Sequence, residues 1–211
     1  MYCCLQDSID YWRWFFNSIF LTVVTVVATL LVSAFVGYGF AAYEFKGKNL
    51  MFVIVLLILS VPLEVIMLPL YKQMTNWGLM DSYIAIVLPF VAHASTIFFF
   101  RQYLLGLPKS LLEAGRIDGA TEYGIFFRLI MPIMKPAFAA MAILNGMNAW
   151  NNYLWPLLVI RSSEKYTLTL GLNTLINHTE IIIHSWLWVR SSRLYQSLYC
   201  LYVFSSILLK V

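Results

Sequence analysis

Four apolar runs, at about 15–42, 50–70, 83–105 and 133–160, take up most of this chain. A backbone crossing hydrocarbon must satisfy its amides internally, so only helices or a closed barrel can span it, and each run is long enough for a helix of about 20 residues. The runs are continuous and lack the strict alternation of barrel strands, which selects helices. Composition agrees, with 61% of residues hydrophobic and only 11% charged, against about a quarter charged in a soluble domain. We expect an all-α, polytopic membrane helical bundle with four clear spans. A fifth run at 181–211 is a poor span, because Arg190 to Arg193 (RSSR) splits it.

The formal charge of +4 reads as membrane topology and gives no reason to expect nucleic acid as a partner. Lys46, Lys48, Arg101, Lys109, Arg116, Arg128 and Lys135 fall on one side, and Arg13, Lys72, Arg161 and Lys165 on the other. Seven against four places the 108–136 stretch in the cytoplasm. Cys3, Cys4 and Cys200 match neither a zinc spacing nor a disulfide framework and read as buried thiols. Residues 1–14 lack the basic-then-apolar order of a cleavable signal. They read as an interfacial leader with Tyr11, Trp12 and Trp14 in the headgroup belt, or as a frayed terminus.

Inside the runs, Ser33, Ala34, Gly37 and Gly39 offer small surfaces for close helix packing. Pro62 and Pro69 predict a bent or broken second helix. Glu64 is a carboxylate within an apolar run, a position that marks either a water-filled path or an interfacial or hydrogen-bonded residue. His93, in the third run, reads as a hydrogen-bonded packing residue. The fourth run carries Asn145, Asn148, Trp150, Asn151, Asn152, Tyr153, Trp155 and Pro156. Amides that pair with hydroxyls, beside aromatic faces, suit a sugar pathway, while an interfacial girdle is the alternative for the tryptophans. The candidate pathway is therefore Glu64, Asn145, Asn148, Asn151, Asn152 and Tyr153.

The long polar interruption is 108–136. Ser110 followed by Glu113 predicts a capping box and a helix over 111–118. Gly119 should break it, and Thr121 with Glu122 should cap a second helix running through Phe126 and Phe127 to Pro132. Ala114, Gly115 and Ala120 would leave the exposed side shallow enough for another protein's cleft. A plain amphipathic connector is the alternative.

EAGRIDGATEYGIFFRLIMPIMKPA (113–137) resembles the cytoplasmic signature loop of ATP-binding cassette importer permeases. That loop reads Glu-Ala-Ala, three residues, Gly, nine residues, then Ile-x-Leu-Pro. The matching positions are Glu113, Ala114, Gly115, Gly119, Leu129, Met131 and Pro132, where Gly115, Leu129 and Met131 replace Ala, Ile and Leu. RIDGA (116–120), WRWFFNS (12–18), WNNYLWPL (150–157) and EKYTLTLGL (164–172) are similar to the maltose-type carbohydrate permeases, specifically the second of their two membrane subunits. The resemblance covers about 10–180.

The resemblance implies a multi-pass subunit of a bacterial or archaeal plasma membrane that is not itself an enzyme and holds no cofactor. ATP and Mg would be bound by a partner ATP-binding cassette ATPase dimer, and the chain has no phosphate-binding glycine loop with Lys and Ser/Thr. A homologous first permease subunit, an extracytoplasmic sugar-binding protein and the lipid bilayer would be the other partners. Glu113, Ala114, Gly115, Arg116, Asp118, Gly119, Ala120 and Pro132 would couple ATP hydrolysis to alternating access. The cargo would be a disaccharide, an oligosaccharide or a glycerol phosphate.

Two departures from the family pattern matter. The family's additional upstream span is not seen, and its clean last span is replaced by 181–211, for which we expect a frameshift near Ile181. The chain then divides into a leader (1–14), a permease domain (15–180, with the coupling loop at 108–136) and an aberrant C-terminal segment (181–211). A non-functional permease remnant is one alternative reading. A membrane-embedded enzyme using Glu64 and His93 is another, with no spacing argument behind it.

Overall fold

The computed structural model describes residues 2–178, and every regular element in them is helical. The poor fifth span and the expected frameshift at 181–211 lie outside the described residues. The first helix, α1 (Tyr2–Ala42), runs without a break across the expected leader boundary at 14/15. It contains no proline, and its Val- and Leu-rich stretch keeps it regular for about 60 Å, about twice the thickness of a bilayer's hydrocarbon core.

Only α1 is both straight and apolar enough to span among the described residues; the other three runs are bent pairs. The second is α2 (Lys48–Leu59) and α3 (Leu63–Asn76), which meet at 102°. Pro62 stands at the α3 N-cap in extended backbone (φ −61°, ψ 140°), because its ring forbids continuation of the preceding helix. Pro69 sits inside α3 without ending it. The helix continues to Asn76, past the expected end of the second run at about 70.

The third run is α4 (Tyr83–Val87), a 3-10 turn at Leu88–Phe90 and α5 (Ala94–Leu105), bent by 42° around 91–93. Next come α6 (Lys109–Ile117), α7 (Glu122–Gly124), a π-helical segment (Ile125–Ile130) and α8 (Met131–Ile133). A 78° bend at Met134 leads into α9 (Lys135–Asn151), with Pro136 in its first turn. The fourth run, the third of the bent pairs, thus begins at Glu122, upstream of the expected 133. It ends at Asn151, after which α10 (Leu154–Val159) and α11 (Leu168–His178) follow.

Helix α1 packs mainly on α5 and α9. Ser33 and Ala34 are fully buried, and a Cβ on Gly37 would lie 3.0 Å from Phe100 Cβ and 3.2 Å from the Arg101 amide. Gly37 therefore allows the backbones of α1 and α5 to approach. Gly39 meets nothing within 4 Å, so its expected packing role is not used here. One core joins α1, α5, the π-helical segment and α9 around Phe100, Phe126 and Met134; a second joins α1, α3, α4, α10 and α11 around Trp155, Ile86 and Leu170.

Candidate functional site

A cleft of about 410 Å³ opens between α1, the start of α3, and α9 with α10. Ser18, Thr22, Thr25 and Thr29 recur on one face of α1, and Asn145, Asn148 and Asn152 recur every three to four residues along α9. Helical spacing thus turns one polar stripe toward the other. All six expected pathway residues line this cleft: Glu64, Asn145, Asn148, Asn151, Asn152 and Tyr153.

Several of these groups are held in place. The Asn145 amide donates to the Met141 carbonyl (2.8 Å) and pairs with the Thr96 hydroxyl (3.1 Å). Asn151 donates to the Met147 carbonyl (2.8 Å), and Asn152 accepts from the Trp155 amide at the start of α10 (3.4 Å). His93 lines the cleft with Nδ1 2.7 Å from the Ser95 hydroxyl, a hydrogen-bonded residue as expected. Glu64 and Asn148 have no hydrogen bond within the described residues, and both are exposed.

Of the two readings open for the tryptophans, a place in the cleft is not the one seen. Trp155 is fully buried, with Nε1 donating to the Ala85 carbonyl (2.9 Å). Trp150 packs edge-on against Phe15. Neither lines the cleft, whose aromatic surfaces are Tyr153 and Phe90. A buried indole needs an acceptor for its N–H, and α4 supplies one to Trp155.

Helix α6 begins one turn past α5, and Pro108 stands at its N-cap with no side-chain cap. The expected capping box does not form, because Ser110 already lies within the helix. Leu111 and Leu112 pack on the first core. Gly115 sits beneath Ile125, where an added Cβ would lie 3.1 Å from the Ile125 side chain. Glu113, Ala114, Arg116, Asp118 and Ala120 are exposed, and Ile117 is 85% exposed.

The end of α6 is a Schellman motif: Gly119 has φ +74°, its N–H reaches the Arg116 carbonyl (3.1 Å), and the Ala120 N–H reaches Gly115 (3.1 Å). Glycine adopts this left-handed conformation without steric cost. Thr121 then caps α7 by accepting from the Gly124 amide (3.2 Å), as expected. One side of the second half of the stretch is core, while Tyr123, Phe127 and Arg128 stay exposed. Ile125, Phe126 and Ile130 are at most 1% exposed, and Phe126 stacks on Phe35 at 4.3 Å. Exposed Pro132 lacks the N–H that a regular helix would send back to Arg128, and the helix widens to π geometry just before it.

Glu122 joins these pieces. It accepts from Arg116 Nε (2.8 Å), from the Tyr43 hydroxyl (2.8 Å) and from the Tyr38 hydroxyl (3.1 Å). The start of α7 is thereby fixed to both α6 and the end of α1. The sequence offered Glu122 only as a first-turn acid, and its three partners become neighbours through tertiary packing alone.

The opposite end of α1, about 35 Å away, carries a second polar knot. Arg13 pairs with Glu164 (3.0 Å), Asn17 donates to the Glu164 and Tyr166 carbonyls, and Ser18 Oγ accepts from the Leu168 amide (2.7 Å). Trp14 is buried here, with its indole N–H on the Ser163 carbonyl (2.8 Å), so it does not belong to a headgroup belt. Asp81 accepts from the Arg161 and Ser162 amides (3.0 Å each), from the Ser162 hydroxyl and from Lys165 (3.0 Å).

The Ser162 hydroxyl and amide, then Arg161 and Lys165, hold the Asp81 carboxyl well below the usual carboxylate range. A depressed folded pKa gives stability that is present above the unfolded value of about 4 and lost as pH falls through the folded one. Asp81→Asn should therefore cost about 2 kcal/mol near neutral pH, a Tm fall of roughly 5 °C in detergent. The gap should narrow below about pH 4. A gap that stays constant down to strongly acid pH would contradict this role.

A bundle with one straight and three bent apolar helix units, a polar cleft between them and an amphipathic helix at one end belongs to the class of helical membrane transport subunits. The chain is a member of the family of binding-protein-dependent transport system inner membrane components, whose model matches residues 30–209.

Among its relatives, the arabinooligosaccharides transport system permease protein AraQ of Bacillus subtilis (strain 168) is 55% identical over 167 residues, covering 79% of this chain and 59% of that protein. The lactose transport system permease protein LacG of Rhizobium radiobacter is 40% identical over 161 residues, 76% of this chain and 59% of that one. The sn-glycerol-3-phosphate transport system permease protein UgpE of Pectobacterium atrosepticum is 34% identical, covering 76% and 57%. The chain thus spans less than two thirds of the length of these relatives. Its fold matches a bacterial ABC transporter involved in the import of the acidic polysaccharide alginate, with TM-score 0.74 and 25% identity over 86% of this chain and 64% of that one.

Proposed function

We propose that the chain is a multi-pass subunit of an ATP-driven carbohydrate importer in a bacterial or archaeal plasma membrane. On this reading it works with a homologous first permease subunit, an ATP-binding cassette ATPase dimer that binds ATP and Mg, and an extracytoplasmic sugar-binding protein. The observation that carries this reading is a physical connection. Exposed α6 is anchored through Gly115 on the buried π-helical segment, and that segment leads through α8 into α9, which lines the polar cleft. A push on α6 by a partner would reach the cleft through packed side chains, as alternating access requires. The names of the AraQ and LacG relatives support a neutral sugar as cargo, whereas the more distant UgpE relative is named for a phosphorylated polyol.

Reconstitution with the three partner components in proteoliposomes tests the reading. Accumulation of labelled arabino-oligosaccharide should require both ATP and the binding protein. Uptake that is the same without ATP would contradict it. In that assembly Glu122→Ala should leave the ATPase bound and the chain inserted, since Arg116 and Glu122 are both half-exposed and water can solvate the groups that are released. Uptake per complex should nevertheless fall several-fold, because α6 is no longer held to the end of α1. Normal uptake by this variant would show that the three hydrogen bonds on Glu122 transmit nothing.

A further inference from the structure

We propose that Glu64 makes the cleft a charge filter, admitting neutral polyhydroxylated ligands and disfavouring those that carry phosphate or carboxylate. The inference deepens the import reading and rests on it. Among the described residues that line the cleft there is one carboxylate, Glu64, and no lysine or arginine. The basic side chains Arg13 and Lys165, at the polar knot on that end of α1, are engaged by Glu164 and Asp81 and do not line the cleft. Glu64 stands in the first turn of α3, where the helix N-terminus supports a negative charge. The 102° bend at Pro62 lets that first turn border the cleft.

A neutral sugar suits this lining. Vicinal hydroxyls can donate to both Glu64 oxygens and accept from the Asn148 amide, which has no hydrogen bond within the described residues. An anionic ligand would shed water beside a fixed carboxylate and find no counter-charge.

Charged thiol reagents measure this field without any transport. In the chain with Cys3, Cys4 and Cys200 replaced by serine, Asn148→Cys and, separately, Thr22→Cys place a reporter in the cleft. In membrane vesicles at low salt, trimethylammonioethyl methanethiosulfonate should react about fivefold faster than the sulfonatoethyl reagent, after correction for their rates with a free thiol. Adding Glu64→Gln should bring that ratio close to one. A ratio that Glu64→Gln leaves unchanged, the lack of any preference, or no reaction at either reporter would overturn the proposal. A Glu64-dependent ratio in a chain whose reconstituted assembly imports no sugar would contradict the import reading alone.

Discussion

Gly119→Val is expected to cut ATP-driven uptake by the proposed importer at least tenfold while the chain still inserts and binds the proposed ATPase partner. Gly119 has φ +74°, and an added Cβ there would meet nothing within 4 Å, so the penalty comes from the backbone and not from crowding. An L-residue in the left-handed region costs roughly 1–2 kcal/mol, and a β-branched one more. The hydrogen bonds from Gly119 and Ala120 back to Arg116 and Gly115 would be lost as α6 rewinds. Its exposed face would then turn away from its present direction. Gly119→Asn, which tolerates this conformation, should keep most of the uptake. The readout is sugar imported per ATP hydrolysed, and unchanged uptake by the valine variant would count against a coupling role for this bend.

Gly171→Leu should have the largest effect on the fold itself. The Trp14 indole occupies the space that a side chain on Gly171 would need. Trp14 is held there by its hydrogen bond to Ser163 and by Tyr166 beside it, with ring centroids 6.2 Å apart. Overpacking at such a site costs about 3 kcal/mol or more, enough to deplete folded protein in detergent. The cost should be strongly non-additive with Trp14→Ala, because the two changes share one contact. Full additivity in a double-mutant cycle would place the indole elsewhere.

That pair also shows what the sequence made legible. WRWFFNS and EKYTLTLGL are both recognisable as motifs, and the residues in them are the ones that meet. Arg13 pairs with Glu164, Asn17 reaches Tyr166, Ser18 caps Leu168, and Trp14 covers Gly171. Nothing in either string says that they are partners, since about 150 residues separate them. The apolar runs were readable because hydrocarbon dictates their length. The bend at Pro62 was readable because proline stops a helix. The asparagines near the end of α9 stood out for their amide chemistry, and it is the helical spacing in the structure that brings them to one cleft.

Other features depended on competition between local signals and packing. The Ser110–Glu113 pattern is a valid capping box, yet Pro108 reaches the N-cap position first and starts the helix earlier. The run from Ile125 to Ile130 lies inside the polar interruption, yet its Ile125, Phe126 and Ile130 are core, with Phe126 stacked on Phe35. Trp155 is aromatic in the right neighbourhood for a sugar and is buried instead, satisfied by the Ala85 carbonyl. Glu122 was legible only as a helix-start acid and Asp81 not at all, and their roles come from what tertiary structure brings beside them.

Cross-linking from α6 in the assembled complex tests the central claim most directly. Single cysteines at Ala114 and Ile117, on the exposed side, and at Leu112, turned toward the core, would be treated with a short bifunctional maleimide. Ala114→Cys and Ile117→Cys are predicted to join the ATPase subunit, and Leu112→Cys is not. An assembly that cross-links from Arg161→Cys at the far end of α1, or from none of the α6 positions, would contradict the account.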